Sequence, residues 1–313
     1  MHPAFSVIFF TVSSGAGFGL FALLYLADAF GLGGGLSSNQ IAAGGVVALA
    51  LIIGGLLSSM LHLANPKNAW RAVSRWRTSW LSREGVFSVA FFPFAFAYVG
   101  LSWLAMPNLE ALRLTLGAVA TLLAWITVFS TSMIYGCLKT IRQWNTPLVP
   151  ANYLALGHFS GSLILMLVAL SGATLLTPYF YLSLMLLVVA AVLKAIYFFW
   201  VVSPHIGSTI NTATGFTRAQ VKLFDAGHTH GTFLTQEFGF QLARKYAILL
   251  KVFLFLATFA APLALLLASG GKPSLTSGGL MLALVALGLF AERWLFFAEA
   301  RHVVNLYHGT QRC

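Results

Sequence analysis

His62 and Glu84 stand at the two rims of one basic stretch, "MLHLANPKNAWRAVSRWRTSWLSREGV", which runs from Met60 to Val86. His62 closes an apolar run, one turn after Ser58 and Ser59, and Glu84 opens the next run. Histidine changes charge near neutral pH, and a carboxyl at the same depth adds a second group that can take or give a proton. An ionisable group at membrane depth is expensive and is functional by default. Two such groups around one pocket suit a reaction that moves protons with electrons. Reduction of a quinone or oxidation of a quinol is such a reaction, with donors and acceptors needed at the carbonyl oxygens. The competing reading makes His62 a helix cap and pairs Glu84 with Arg83 or Arg77.

Other residues gather at the same rim. Tyr135, Lys139 and Arg142 end the fourth apolar run, either at a pocket mouth or as interface anchors. On a helix, Trp70, Val73, Trp76 and Trp80 share one face while Arg71 and Arg75 point away, so 66–82 is expected to lie as an amphipathic segment in the headgroup layer. Arg71, Arg75, Arg77, Arg83, Lys139 and Arg142 together offer a cationic rim for a docked partner. Glu292 and Arg293 lie about two turns inside the last run, where at least one should face the bundle or a pocket. Lys194 in the sixth run and Lys251 in the seventh could snorkel toward the terminal face. Ser13, Ser14, Gly15, Gly17 and Gly19 read as close helix packing.

Metal chemistry is not expected in this chain. His228 and His230, with Asp225 nearby, make half a zinc site without a visible fourth ligand. His158 could face His62 across a haem, but a dihaem anchor needs about four histidines inside spans. Cys137 and Cys313 are the only cysteines, which excludes a disulfide framework and an all-cysteine cluster within the chain.

These residues must be held by membrane helices. Of 313 residues, 8% are charged and 59% hydrophobic, with a mean hydropathy of +0.86; a soluble domain carries roughly 25% charged residues. Eight continuous apolar stretches are long enough to cross a bilayer, at 5–26, 41–63, 86–106, 111–136, 153–176, 179–202, 247–268 and 278–299. The first lacks a basic leader and cleavage motif and reads as a retained span. The expected fold is an all-α, polytopic bundle of eight transmembrane helices, a single unit over 1–313 with a long link at 203–246. An even count puts both termini on one face. That face holds 13 of the 18 Lys and Arg residues, the other face holds Arg113 and Lys272, and three lie within spans. By the positive-inside rule the terminal face is cytoplasmic. The net charge of +11 therefore serves topology and docking and does not imply nucleic acid.

The stretch "SSMLHLANPKNAWRAVSRWRTSWLSREGV", the N-terminal span, "YGCLKTIRQWNTPL" and "GHTHGTFLTQEFGFQLARKYA" resemble the DmsC-type membrane anchor subunits of DMSO-reductase-family molybdoenzymes. Within that family the basic version here is most similar to the SoeC-type anchors of cytoplasmic sulfite dehydrogenases. The resemblance implies a quinone site on an eight-helix anchor in a bacterial inner membrane. It also implies a docked four-cluster iron–sulfur subunit and, on that, a molybdopterin catalytic subunit. The family's histidine in "MLHL" and its glutamate after the basic loop fall on His62 and Glu84, and its last-helix arginine, in an R-x-x-F context, falls on Arg293.

The expected function is transfer of electrons between the iron–sulfur partner and ubiquinone or menaquinone. His62 and Glu84 would handle protons, and Ser58, Tyr135 and Arg293 would complete the pocket. An anchor of a DMSO- or polysulfide-type reductase, oxidising quinol, is the alternative within the family. A secondary transporter is disfavoured by the lack of an internal repeat, and a passive anchor that binds no quinone is the remaining alternative.

Overall fold

The computed structural model describes residues 4–61, 65–202, 207–216, 218–225, 230 and 242–313. His62 and His228 lie outside them.

Among the described residues, eight helices are long and apolar enough to span a bilayer. They are α1 (Phe5–Ala29), α2 (Ser38–Met60), α3 (Trp80–Leu104), α4 (Glu110–Gly136), α5 (Leu148–Leu170), α6 (Thr177–Val202), α7 and α8 (Leu275–Ala298). The seventh runs as Leu242–Phe255, a π-helical turn at Leu256–Ala260, and Ala261–Ala268. Among the described residues the only β pairing is two isolated bridges, Ile141 with His302 and Thr209 with Arg312. The all-helical, multi-pass expectation therefore holds.

Several boundaries move for local reasons. The third helix begins at Trp80, not at residue 86, because the Ser79 side chain accepts the Ser82 N–H and starts the helix inside the charged stretch. The fifth begins at Leu148, with Pro147 just before it and Pro150 in its first turn, where the missing N–H breaks no helical bond. The stretch 66–82, expected as an amphipathic interfacial segment, consists of a 3₁₀ helix at Pro66–Arg75, a turn, and the first residues of α3. Trp70 and Trp76 remain exposed, as interfacial anchors should be.

Burial is uneven. α1 and α5 have 78% and 72% of their apolar windows buried, against 22% for α6. α1 packs against α2, α4, α5 and α8, and α5 against α1, α4, α6 and α8. Glycines permit this. A Cβ on Gly19 would overlap the Gly157 carbonyl, and one on Gly161 would overlap the Leu20 nitrogen. The serine- and glycine-rich run in α1 is thus a packing surface, as its composition suggests.

The face without termini is closed by short links and polar locks. Ser37 and Gln40 form a capping box at the start of α2, and Gln40 Nε2 donates to the carbonyls of Val168 and Ala169, both at 3.1 Å. Asp28 accepts from Tyr98 at 2.7 Å and from Arg113, which ties α1 to α3 and α4. On the terminal face, the Ile210 N–H donates to the Gln311 carbonyl and the Cys313 N–H to the Ser208 carbonyl, so the last residues pair with 208–210.

Candidate functional site

Glu84 sits in the second turn of α3 and is 6% exposed. Its carboxylate accepts a 2.6 Å hydrogen bond from the Thr131 hydroxyl on α4. The expected alternative pairing is overturned. Arg83 turns away, donating to the carbonyls of Trp76 at 3.0 Å and Arg77 at 2.8 Å, with its guanidinium 4.2 Å from the Trp80 ring centre. A carboxyl buried beside a hydroxyl, with no cation paired to it among the described residues, is not a surface charge turned inward.

One helical turn after Thr131 comes Tyr135. Its ring packs edge-on against Trp144, Phe296 and Phe297, with centroids 5.1–5.4 Å away, and stacks at 6.3 Å on Tyr153. Trp144 is fixed by its indole N–H, which donates to the Phe296 carbonyl at 2.9 Å. The Arg293 guanidinium lies 3.7 Å from the Tyr153 ring centre, a cation–π contact strengthened by burial. Arg293 Nε is 3.2 Å from Glu292. Glu292 is ion-paired with Lys194. α3, α4, α5, α6 and α8 thus bring Glu84, Thr131, Tyr135, Tyr153, Arg293, Glu292 and Lys194 together toward the terminal face.

Lys194 is the clearest correction. It does not snorkel: it is 2% exposed and bonded to Glu292, because a carboxylate 98 residues away on α8 offers it an inward partner. Lys251 also has a partner, Glu299 at 2.7 Å. Thr131 and Tyr153 are site residues that sequence reasoning misses. Their one faint signal is a polar residue about a turn from the terminal face on each of two adjacent spans.

The other candidates scatter. Ser58 donates to the Ser6 carbonyl at 3.0 Å and ties α2 to the start of α1. Arg71, Arg75, Arg77 and Lys139 are exposed. Arg142 is half-buried, with its guanidinium 5.1 Å from the Trp200 ring centre. His158 lies nearly three turns into α5 rather than one; its Nε2 accepts from the Trp125 indole at 2.9 Å and its Nδ1 faces the Leu154 carbonyl at 2.7 Å. Both ring nitrogens are thereby engaged, with the proton on Nδ1. No group of three metal-ligating side chains occurs among the described residues.

A narrow crevice with about 10 Å³ of free space, room for a single water, lies between α1, α5 and α8, lined by Thr11, Gly15, Gly157, Ser160, Tyr153 and Arg293 among others. It is far smaller than the roughly 300–1,000 Å³ of small-molecule pockets. The Thr11 and Ser160 hydroxyls donate to carbonyls of their own helices, so the donors that line the crevice are the Arg293 guanidinium and the Tyr153 phenol.

A family model described as DMSO reductase anchor subunit (DmsC) matches residues 1–298. A sulfite dehydrogenase subunit of Allochromatium vinosum is 34% identical over 328 residues, covering 99% of each chain. With eight spans and a match over nearly its whole length, this chain belongs to the DmsC family of membrane anchor subunits.

Proposed function

We propose that the chain is the quinone-reactive anchor of a molybdenum-dependent oxidoreductase that works on the cytoplasmic side of a bacterial inner membrane. The observation that carries this reading is the buried Glu84 carboxylate, held by Thr131 at 2.6 Å and joined through Tyr135 and Tyr153 to a buried arginine. The likeness to a sulfite dehydrogenase subunit favours sulfite oxidation, with electrons passing from a partner's iron–sulfur clusters to ubiquinone or menaquinone. Molybdopterin belongs to a further partner.

Quinone supplies two-electron, two-proton chemistry when bound. The chain's own residues bind, orient and exchange protons. Arg293 and Tyr153 present hydrogen-bond donors at the crevice. Glu84 holds and releases a proton at its carboxylate, and His62 serves as the second proton group across the basic stretch. Arg71, Arg75, Arg77 and Lys139 face outward as the docking rim, while Arg83 and Arg142 shape it from within.

The test is Glu84→Gln in the whole complex. Substrate oxidation with an artificial acceptor should persist, and turnover with a short-chain quinone should fall about a hundredfold or more, the scale of a lost acid–base group. Normal quinone turnover in both Glu84→Gln and His62→Ala would end the assignment of the site.

A further inference from the structure

Two segments of the terminal face are knit into one platform. Thr209 caps the short helix Ile210–Thr214, and the Asn211 side chain donates to the carbonyls of Phe216 at 2.6 Å and Ala219 at 2.7 Å, which turns the chain back on itself. The C-terminal tail runs beside it, with Thr209 bridged to Arg312. The same tail is fastened to the loop after α4. The Val303 N–H donates to the Thr140 carbonyl at 3.1 Å, and the Arg301 N–H to Gln143 Oε1 at 3.2 Å. The next residue in that loop is Trp144, whose indole is bonded to Phe296 and packed on Tyr135. The platform therefore joins the terminal-face end of the candidate site.

Its surface is not that of an ordinary solvated loop. Phe224 is fully exposed, and Tyr307 and Phe216 are 73% and 64% exposed. Large apolar side chains are expected on lipid-facing spans, but gathered in segments outside the spans they mark an interaction site. Between the two segments lies an open groove of about 530 Å³, lined by Gln220, Lys222, Leu223, Gly309 and Gln311. The exposed cations of these segments are Arg218, Lys222, Arg301 and Arg312. Their acids are Asp225 and Glu299, and Glu299 is paired with Lys251 at 2.7 Å.

We propose that this groove seats an extended, acidic segment of the iron–sulfur partner, with Phe224 and Tyr307 as its aromatic anchors. The proposal rests on the chain being the anchor of such a partner. A protein that exchanges electrons with a site under the terminal face has to stand on that face, and the platform is tied to the site's own loop. Net positive charge with exposed aromatics suits an acidic surface that carries apolar side chains. A second copy of this chain would instead bring like charges together. Gln220 and Gln311 offer amides that both donate and accept, which matches a peptide backbone and not an acyl chain.

The experiment uses the whole complex in detergent. Phe224→Ser combined with Tyr307→Ser should weaken retention of the iron–sulfur partner about tenfold or more, the scale of lost aromatic anchors. Lys222→Glu should weaken it most at low salt, where the charge is least screened. A photo-crosslinking phenylalanine analogue at position 224 should join the anchor to the iron–sulfur partner, identified by mass. Normal retention in these variants would overturn the groove assignment. So would cross-links that reach only lipid, a second copy of the chain or the molybdopterin subunit. If the double variant does not accumulate, the cross-link decides alone. A fluorescent quinone analogue reports on the quinone site separately. Its failure to bind the wild-type complex would sink the quinone reading, and partner retention would still judge the groove.

Discussion

Thr131 on α4 points its hydroxyl at the Glu84 carboxylate on α3, 2.6 Å away across 47 residues of sequence. The same hydroxyl lies 3.0 Å from the Thr127 carbonyl one turn back, so its direction is set by its own helix. The orientation of the carboxylate is therefore set by how α3 and α4 pack.

Thr131→Val keeps the shape and removes the donor. A buried carboxylate that loses a partner forfeits about 1–3 kcal/mol. Quinone-linked turnover in the complex should drop about tenfold while assembly persists, and Thr131→Ser should retain most of it. Steady-state assays with a short-chain quinone check both.

Two glycines four residues apart on α1 should behave in opposite ways. A Cβ at Gly19 would collide with the Gly157 carbonyl oxygen, whereas one at Gly15 meets nothing within 4 Å. Gly19→Ala should destabilise by about 1–3 kcal/mol through overpacking, and Gly15→Ala should stay within about 0.5 kcal/mol. Thermal unfolding in detergent separates them.

Asp28 and Arg113 should show the asymmetry of a desolvated pair. Their side chains are 8% and 14% exposed. Arg113→Met alone leaves a buried carboxylate without its cation and should cost about 3 kcal/mol. Asp28→Leu combined with Arg113→Met should cost less than either single change. Yield of folded protein and its melting temperature are the measurements.

Arg71, Arg75 and Arg77 are exposed, while Arg83 is spent on backbone carbonyls. Charge reversal at the first three should release the iron–sulfur partner at lower salt, because exposed charges act only within a Debye length of about 8 Å at physiological ionic strength. Arg83→Met should disturb the turn before α3 more than it disturbs docking. Co-purification across a salt series reads out the difference.

His302 begins the 3₁₀ helix Val303–His308, accepting the Val304 N–H at its Nδ1 at 3.0 Å. Burial holds its pKa below the ordinary value, which favours the neutral ring in the folded tail. Above about pH 6.5 the ring is neutral in both folded and unfolded chains and its contribution is complete. As pH falls from there through the lower folded value, the unfolded chain takes up the proton first and the contribution is lost. Hydrogen exchange of 303–313 should quicken over that window, and His302→Asn should flatten the response.

The eight spans are legible in the sequence because twenty-residue apolar runs have few other uses. Arg293 is legible because charge inside such a run is rare, and Glu84 because it is the one acid in the basic stretch, at the edge of the next run. The partners are not. Lys194 reads as a snorkelling lysine until α8 brings Glu292 to it, and nothing within α6 records that meeting. Thr131 is one of several hydroxyl residues in α4, and only the packing of α3 selects it. The true start of α3 is hidden because arginines in a first turn look like loop, whereas the Ser79 cap makes them helix.

α1 comes earliest among the eight spans and is also the most enclosed, its glycines seated against α5 more than a hundred residues later. During synthesis it must wait in lipid until those neighbours emerge. Its groove of backbone carbonyls stays open to the bilayer meanwhile, so the membrane insertion machinery has reason to shelter this segment until the fifth span arrives.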